Sequence, residues 1–289
     1  MGSIGNFFVM DSDGRANTHK IECLLFDMDD TLYPLSSGLN LACRKNIEEF
    51  MLDRLQFGKN EVPRLCLELY REHGTTMAGL KALGYEFDND EFHAYVHGRL
   101  PYDALKPDPV LRNLLLSMPQ RKIIFTNADK VHAAEVLKRL GLEDCFEGII
   151  CFETLNPSVQ SVDYSDETAE REPDPDDLET YNWESSRVKS RILCKPSLEA
   201  MEAAIRIADV DPNKTIFFDD STRNIAAGKE AGLHTVIVGS SVLVPGAEYA
   251  LSSIHNIKEA IPEIWEVEGD EQLEQVIPTS TAVENVVLA

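Results

Sequence analysis

Four sets of polar residues stand where apolar runs stop, and their types suit phosphate chemistry. Asp27 and Asp29 follow Ile21–Phe26, Thr126 and Asn127 follow Lys122–Phe125, and Asp219 with Asp220 follows Thr215–Phe218. Lys195 precedes Pro196 and Ser197, at the start of a helical pattern. Asp27 and Asp29 are two apart, so on extended backbone both side chains can face one way. Asp219 adds a third acid, and like charges so close call for a proton or a divalent cation. An all-oxygen ligand set points to Mg²⁺ shared with waters and a substrate phosphate. Lys195 offers a point charge for that phosphate. The Thr126 hydroxyl and the backbone N–H groups after it offer neutral donors. A carboxylate nucleophile, a second carboxyl to protonate a leaving oxygen, a hard cation and a lysine together make a phosphoryl-transfer site.

Those residues need a scaffold that brings strand ends together. Strand patterns at Ile21–Phe26, Lys122–Phe125, Ile149–Phe152, Thr215–Phe218 and Thr235–Val238 alternate with helical patterns at Val110–Leu116, Val131–Leu140, Leu198–Ala208 and Thr222–Ala231. Gly141 and Gly232 stop two of these helices, and Ser197 can N-cap a third. Such alternation predicts an α/β fold with a doubly wound parallel sheet, whose ligands bind at the carboxyl ends of the strands. Between Gly38 and Leu100 the periodicity is helical throughout. Leu41, Ile47, Phe50, Met51 and Leu55 are read as one buried face, then Leu65, Leu67, Leu69 and Tyr70, and Asp88 as the N-cap of a helix carrying Phe92, Tyr95 and Val96. The expected organisation is a loose terminus over 1–19, an α/β core from 20–34 and 104–262, a helical insertion over 35–103, an acidic loop over 158–190 and an acidic tail over 263–289.

The motifs Asp27-Met-Asp-Asp-Thr-Leu, Thr126-Asn, Lys195-Pro and Phe217-Phe-Asp-Asp-Ser resemble the four motifs of the haloacid dehalogenase superfamily of phosphohydrolases. The helical insertion stands where that superfamily carries its C1 cap. Asp27-Met-Asp-Asp-Thr-Leu-Tyr-Pro34 and Phe218-Asp-Asp-Ser-Thr-Arg-Asn-Ile225 are similar to the pyrimidine 5′-nucleotidase group, which includes proteins described as suppressor of disruption of TFIIS. The resemblance implies that Asp27 is the nucleophile that forms an aspartyl-phosphate, and Asp29 the general acid, then base. It implies Mg²⁺ held by the Asp27 carboxylate, the Asp29 backbone carbonyl and Asp219. It places phosphate on Thr126, Asn127 and Lys195, with Asp220 and Asn224 as buttresses behind the site. The expected activity is that of a Mg²⁺-dependent phosphomonoesterase on a small phosphorylated metabolite, a pyrimidine nucleoside 5′-monophosphate above others. A sugar-phosphate phosphatase or phosphomutase is the alternative within the superfamily, and a scaffold that binds partners through acidic segments is the alternative outside it.

Charge narrows the partners. The chain has 289 residues with 50 acidic and 27 basic side chains, a formal net charge of −23. Residues 160–184 carry −9 of this and residues 263–289 carry −7, so the rest of the chain keeps −7. Without a basic patch, neither a nucleic-acid polymer nor an anionic membrane is an expected partner, whereas a single nucleotide is unaffected by that argument. The acidic segments leave room for a protein partner. No signal-peptide pattern or long apolar run is present, and the six cysteines form no C-x-x-C pair, so a cytoplasmic location is expected, with the nucleus an alternative. The seven histidines are read as lacking a ligand spacing such as H-x-x-x-H, so no metal binding by imidazole is expected.

Overall fold

The computed structural model describes residues 20–157 and 192–265, together with the backbone of 8–10 and 16–18. The acidic insertion over 158–190, and the acidic tail beyond Trp265, lie outside the described residues. Within the segment expected to be a loose terminus, β1 (Phe8–Met10) and β2 (Ala16–Thr18) pair antiparallel, with Met10 opposite Ala16.

The main sheet has six parallel strands: β3 (Cys23–Phe26), β4 (Arg121–Phe125), β5 (Gly148–Ile150), β6 (Thr215–Asp219), β7 (His234–Val238) and β8 (Tyr249–Leu251). Their order is β5-β4-β3-β6-β7-β8, and every neighbouring pair runs parallel. The chain moves outward from β3 on one side to β4 and β5, then returns to β6 on the other. The strand order therefore reverses at β3, and a crevice opens beside its carboxyl end. Asp27 follows β3, Thr126 follows β4 and Asp219 ends β6, so topology alone brings three of the expected residues to one edge.

Successive strand residues point to opposite faces, and both faces are buried. Leu24, Phe26, Ile124, Ile216 and Phe218 pack on one side with Leu111 and Leu115 of α5 (Pro109–Ser117) and with Val136, Leu137 and Leu140 of α6 (Lys130–Leu140). Ile257 of the short α10 (Ile257–Ala260) joins that face. Cys23, Leu25, Ile123, Phe125 and Phe217 pack on the other side with Ala200, Met201 and Ala204 of α8 (Leu198–Ala208) and Ala227 of α9 (Thr222–Glu230). Helix ends follow local chemistry. Asp88, Asp108, Asp129 and Ser197 each accept backbone N–H groups at an N-terminus, and Gly141 closes α6 with φ +69°.

The inserted block folds as α1 (Leu39–Asp53), α2 (Val62–His73), α3 (Thr76–Ala82) and α4 (Asn89–Val96). These pack around Phe50, Met51, Val62, Cys66, Leu69, Met77, Leu80, Phe92 and Val96, and Phe152 of α7 (Phe152–Leu155) reaches in from the sheet side. Two details differ from the sequence reading. Leu41 is 74% exposed, and the buried side of α1 is Leu39, Asn46, Phe50 and Met51. In α2 the buried stripe is Val62, Cys66 and Leu69, with Tyr70 exposed. A stripe of four and three-residue steps fits a helix; the two-residue steps from Leu65 to Leu69 do not.

Candidate active site

Lys195 sits at the centre of the crevice with 1% of its surface exposed. Its Nζ donates to Asp27 Oδ1 at 2.7 Å, to Asp219 Oδ2 at 2.8 Å and to the Phe125 carbonyl at 2.7 Å. An ammonium has three donors, and all three are used. Its position is set from behind by Asn127. The Asn127 Nδ2 donates to the Lys195 carbonyl at 3.0 Å, and the Lys195 N–H donates to Asn127 Oδ1 at 2.8 Å. Asn127, expected as a phosphate ligand, thus spends its side chain on the lysine's backbone. What it retains for an anion is its main chain. The α2 end supports the same turn: a Cβ built on Gly74, whose φ is +88°, would lie 2.5 Å from the Lys195 carbonyl oxygen.

Asp27 is buried, with Oδ1 on Lys195 and Oδ2 accepting from Thr31 Oγ1 at 2.9 Å. Asp219 is fully buried, and its Oδ1 accepts from the Ser221 N–H at 2.8 Å. Asn224 Nδ2 donates to both Asp219 oxygens, at 2.9 and 3.0 Å. Asp220 differs from expectation. Rather than standing behind the site, it brings a carboxylate oxygen to within 4.8 Å of oxygens on Asp27 and Asp219, and it is exposed. Burial, with neighbouring carboxylates adding to it, pushes Asp27 up to about 7. The Asp220 carboxyl is itself enclosed by the crevice although the residue as a whole is exposed, and this with the charges of Asp27 and Asp219 pushes it up to about 8. Three acids facing one lysine leave an excess of negative charge, and their oxygens make a hard donor set. That set fits a divalent cation such as Mg²⁺.

Asp29 turns away from this cluster. Its Oδ1 accepts from Tyr33 Oη at 2.5 Å and lies 2.7 Å from His132 Nε2, whose Nδ1 is 2.7 Å from Tyr102 Oη. Burial alone would raise the Asp29 carboxyl, but His132 and the Tyr33 hydroxyl outweigh it and hold the group down to about 2. Burial likewise opposes charge on His132, and Asp29 overcomes it, so the imidazole is raised above its ordinary 6.5. As the fold stands, Asp29 is held as a carboxylate, and each of the two groups stabilises the charged form of the other. Its carboxylate is not part of the acidic cluster of Asp27, Asp219 and Asp220. Thr126 is buried, and its Oγ1 accepts from the Ala128 N–H at 3.1 Å, which leaves the hydroxyl proton to donate.

Asp29, Tyr33, Leu39, Asn40, Cys43, His97, Leu100 and His132 line a cavity of about 100 Å³ between the helical block and the sheet edge. A larger cavity of about 510 Å³ borders Cys194 and Pro196, on either side of Lys195, and none of Asp27, Asp29 and Asp219 lines it.

A family model described as haloacid dehalogenase-like hydrolase matches residues 21–232. The chain belongs to that family. Among curated proteins this haloacid dehalogenase-like hydrolase is similar to phosphate metabolism protein 8 of Saccharomyces cerevisiae, with 27% identity over 221 residues. The match covers 73% of this chain and 60% of the yeast protein, so the chain spans about three-fifths of that relative's length. Among solved structures it is similar to CbbY from Rhodobacter sphaeroides in complex with phosphate, at 18% identity and a TM-score of 0.48, covering 82% of this chain and 96% of that one. It is also similar to L-2-haloacid dehalogenase from Xanthobacter autotrophicus, at 14% identity and a TM-score of 0.46, covering 84% and 98%. No described helix is long and apolar enough to cross a membrane.

Sequence reasoning missed the histidines. His93 and His97 stand four apart in α4 and its C-cap, a spacing the sequence does carry, and both meet Asp129 of the core. His132 lies three residues beyond Asp129 and stacks on His97 with ring centroids 4.5 Å apart. The signal was the His-x-x-x-His spacing. What hid it was that the acid completing the cluster comes from another part of the chain.

Proposed function

We propose that the chain is a Mg²⁺-dependent phosphomonoesterase that works through an aspartyl-phosphate at Asp27, on a small phosphometabolite such as a pyrimidine nucleoside 5′-monophosphate. The observation that carries this reading is Lys195 Nζ bridging Asp27 and Asp219 while the oxygens of Asp27, Asp219 and Asp220 converge. The yeast relative's name, which refers to phosphate metabolism, supports the phosphate class.

The chemistry divides among the residues as follows. Thr31 and Lys195 fix the two Asp27 oxygens, so the carboxylate is aimed before substrate arrives. An Asp27 oxygen attacks phosphorus, the bond to the ester oxygen breaks, and that oxygen takes a proton from Asp29. Asp29 is an anion in this structure, and His132 Nε2, in contact with it, is the group that can supply the proton. In the second half Asp29 accepts a proton from water, the water oxygen attacks phosphorus, and the bond to Asp27 breaks to release phosphate. The Thr126 hydroxyl and the main chain at Asn127 hold the phosphoryl oxygens. Asp27, Asp219 and Asp220, with the Asp29 carbonyl, would hold Mg²⁺, which would supply positive charge that lets an anion approach a carboxylate.

The test is a panel of UMP, CMP, AMP and sugar phosphates assayed with Mg²⁺ and with EDTA. Phosphate release that needs Mg²⁺ and is abolished in Asp27→Asn is expected. Full activity of Asp27→Asn on p-nitrophenyl phosphate would contradict the mechanism, and a preference for sugar phosphates would contradict the nucleotide assignment.

A further inference from the structure

We propose that His93, His97 and Asp129 form a second metal site, separate from the acidic cluster, that takes Zn²⁺ and pins the helical cap to the core. One ligand atom from each of the three lies within 4.8 Å of the others. His93 is 7% exposed, and among the described residues neither of its ring nitrogens has a hydrogen-bond partner. A buried imidazole left unpaired is unusual, because polar groups removed from water are nearly always satisfied. His93 Nδ1 nevertheless lies 3.6 Å from Asp129 Oδ1. Two ligands about 2.0–2.1 Å from one tetrahedral ion stand roughly 3.3–3.4 Å apart, close to that spacing.

The carboxylate is aimed by the helix it caps. Asp129 Oδ2 accepts the N–H groups of Val131 at 3.1 Å and His132 at 3.3 Å, which turns Oδ1 toward the histidines. His97 Nδ1 is 2.5 Å from that Oδ1, a hydrogen bond that has to open by roughly 0.8 Å for both atoms to bind one ion. Phe152 packs edge-on to the His93 ring at 4.6 Å and closes one side. Two imidazoles four apart on one helix, with one carboxylate, form a borderline nitrogen–oxygen set that suits Zn²⁺ and is unlike the all-oxygen cluster at Asp27. Zn²⁺ here links α4 to the turn after β4, two residues beyond the Asn127 that holds Lys195. The proposal stands independently of the phosphatase reading.

The experiment uses the full chain, stripped with EDTA, desalted and supplied with excess Mg²⁺ to occupy the acidic cluster. Zn²⁺ is then titrated by calorimetry, and Co²⁺ by its visible absorption. One Zn²⁺ per chain is expected, with the intense Co²⁺ bands of a four- or five-coordinate site and a rise in melting temperature of at least ~3 °C. His93→Phe and His97→Gln, each checked by circular dichroism for a native fold, should lose both the Zn²⁺ and the bands, whereas Asp219→Asn should keep them. Should one variant fail to fold, the other decides together with Asp219→Asn. No Zn²⁺ binding to the wild-type chain would overturn the proposal. So would binding that survives in a folded His93→Phe or His97→Gln chain, or that disappears in Asp219→Asn.

Discussion

Replacing Lys195 by Met removes a buried cation and keeps much of the side-chain volume. The structure sets the size of the effect. The ammonium makes three hydrogen bonds with almost no access to solvent, two of them to carboxylates. Without it Asp27 and Asp219 face each other with Asp220 nearby, and both lose the ammonium they contact. Removing one partner of a buried charge group costs about 3–5 kcal/mol at neutral pH, because the remaining charges stay buried. The pH dependence has a definite sign. Burial already raises Asp27 to about 7 with the lysine present, and its loss raises Asp27 further. A carboxylate with a raised pKa loses stability as pH rises until it passes its folded value. Asp27 of the parent stops losing at about 7 and that of the variant goes on, so the penalty should grow between about pH 7 and about pH 9. Urea unfolding of both chains in EDTA at these two pH values measures it. A loss below ~1 kcal/mol at neutral pH, or the same loss at both, would contradict a buried Lys195 that neutralises Asp27. Arg at this position should not restore activity, since its planar fork does not fit a point-charge site with three converging acceptors.

Gly74→Ala should lower stability by about 1–3 kcal/mol and reduce turnover, because positive φ is combined with a 2.5 Å approach to the Lys195 carbonyl; thermal unfolding and phosphate release check both. Asn127→Ala should reduce turnover well beyond any change in KM, since the lysine's backbone loses both hydrogen bonds; a pure KM effect would favour direct phosphate binding by the side chain. His132 is raised above 6.5 by Asp29, so its contribution to stability is complete below 6.5 and is lost as pH rises through the folded value. In Asp29→Asn burial is opposed only by the weaker pull of Asp129, and the imidazole should titrate well below its value in the parent chain by NMR; an unchanged titration would show that Asp29 is not the cause.

The parts of this fold that local chemistry decides were legible in the sequence. Apolar runs ending in Asp27 and Asp219, the caps Asp88 and Ser197 and the stop at Gly141 all appear where the pattern placed them. Contacts between distant segments were not legible. Lys195 reaches Asp27 across 168 residues, and only the strand order explains why a lysine before a helix becomes the buried centre of the site. Asp29 and Asp27 alternate alike in the sequence, yet Asp29 turns to His132, 103 residues on, once α6 is in place. Leu41 and Tyr70 were assigned to buried faces because apolar character was counted without fixing the helical phase. The His93–His97–Asp129 cluster joins a cap helix to a core turn, and no pattern within either segment reveals the other.

Turnover through Asp27 requires its carboxylate to become phosphorylated. Rapid acid quench of the Mg²⁺-loaded enzyme during turnover, followed by borohydride reduction, converts an acyl phosphate into the alcohol, and peptide mass spectrometry locates it. The account predicts homoserine at position 27 in the wild-type chain and none in Asp27→Asn. Phosphate release with position 27 left entirely as aspartate, or the label found on another residue, would contradict it.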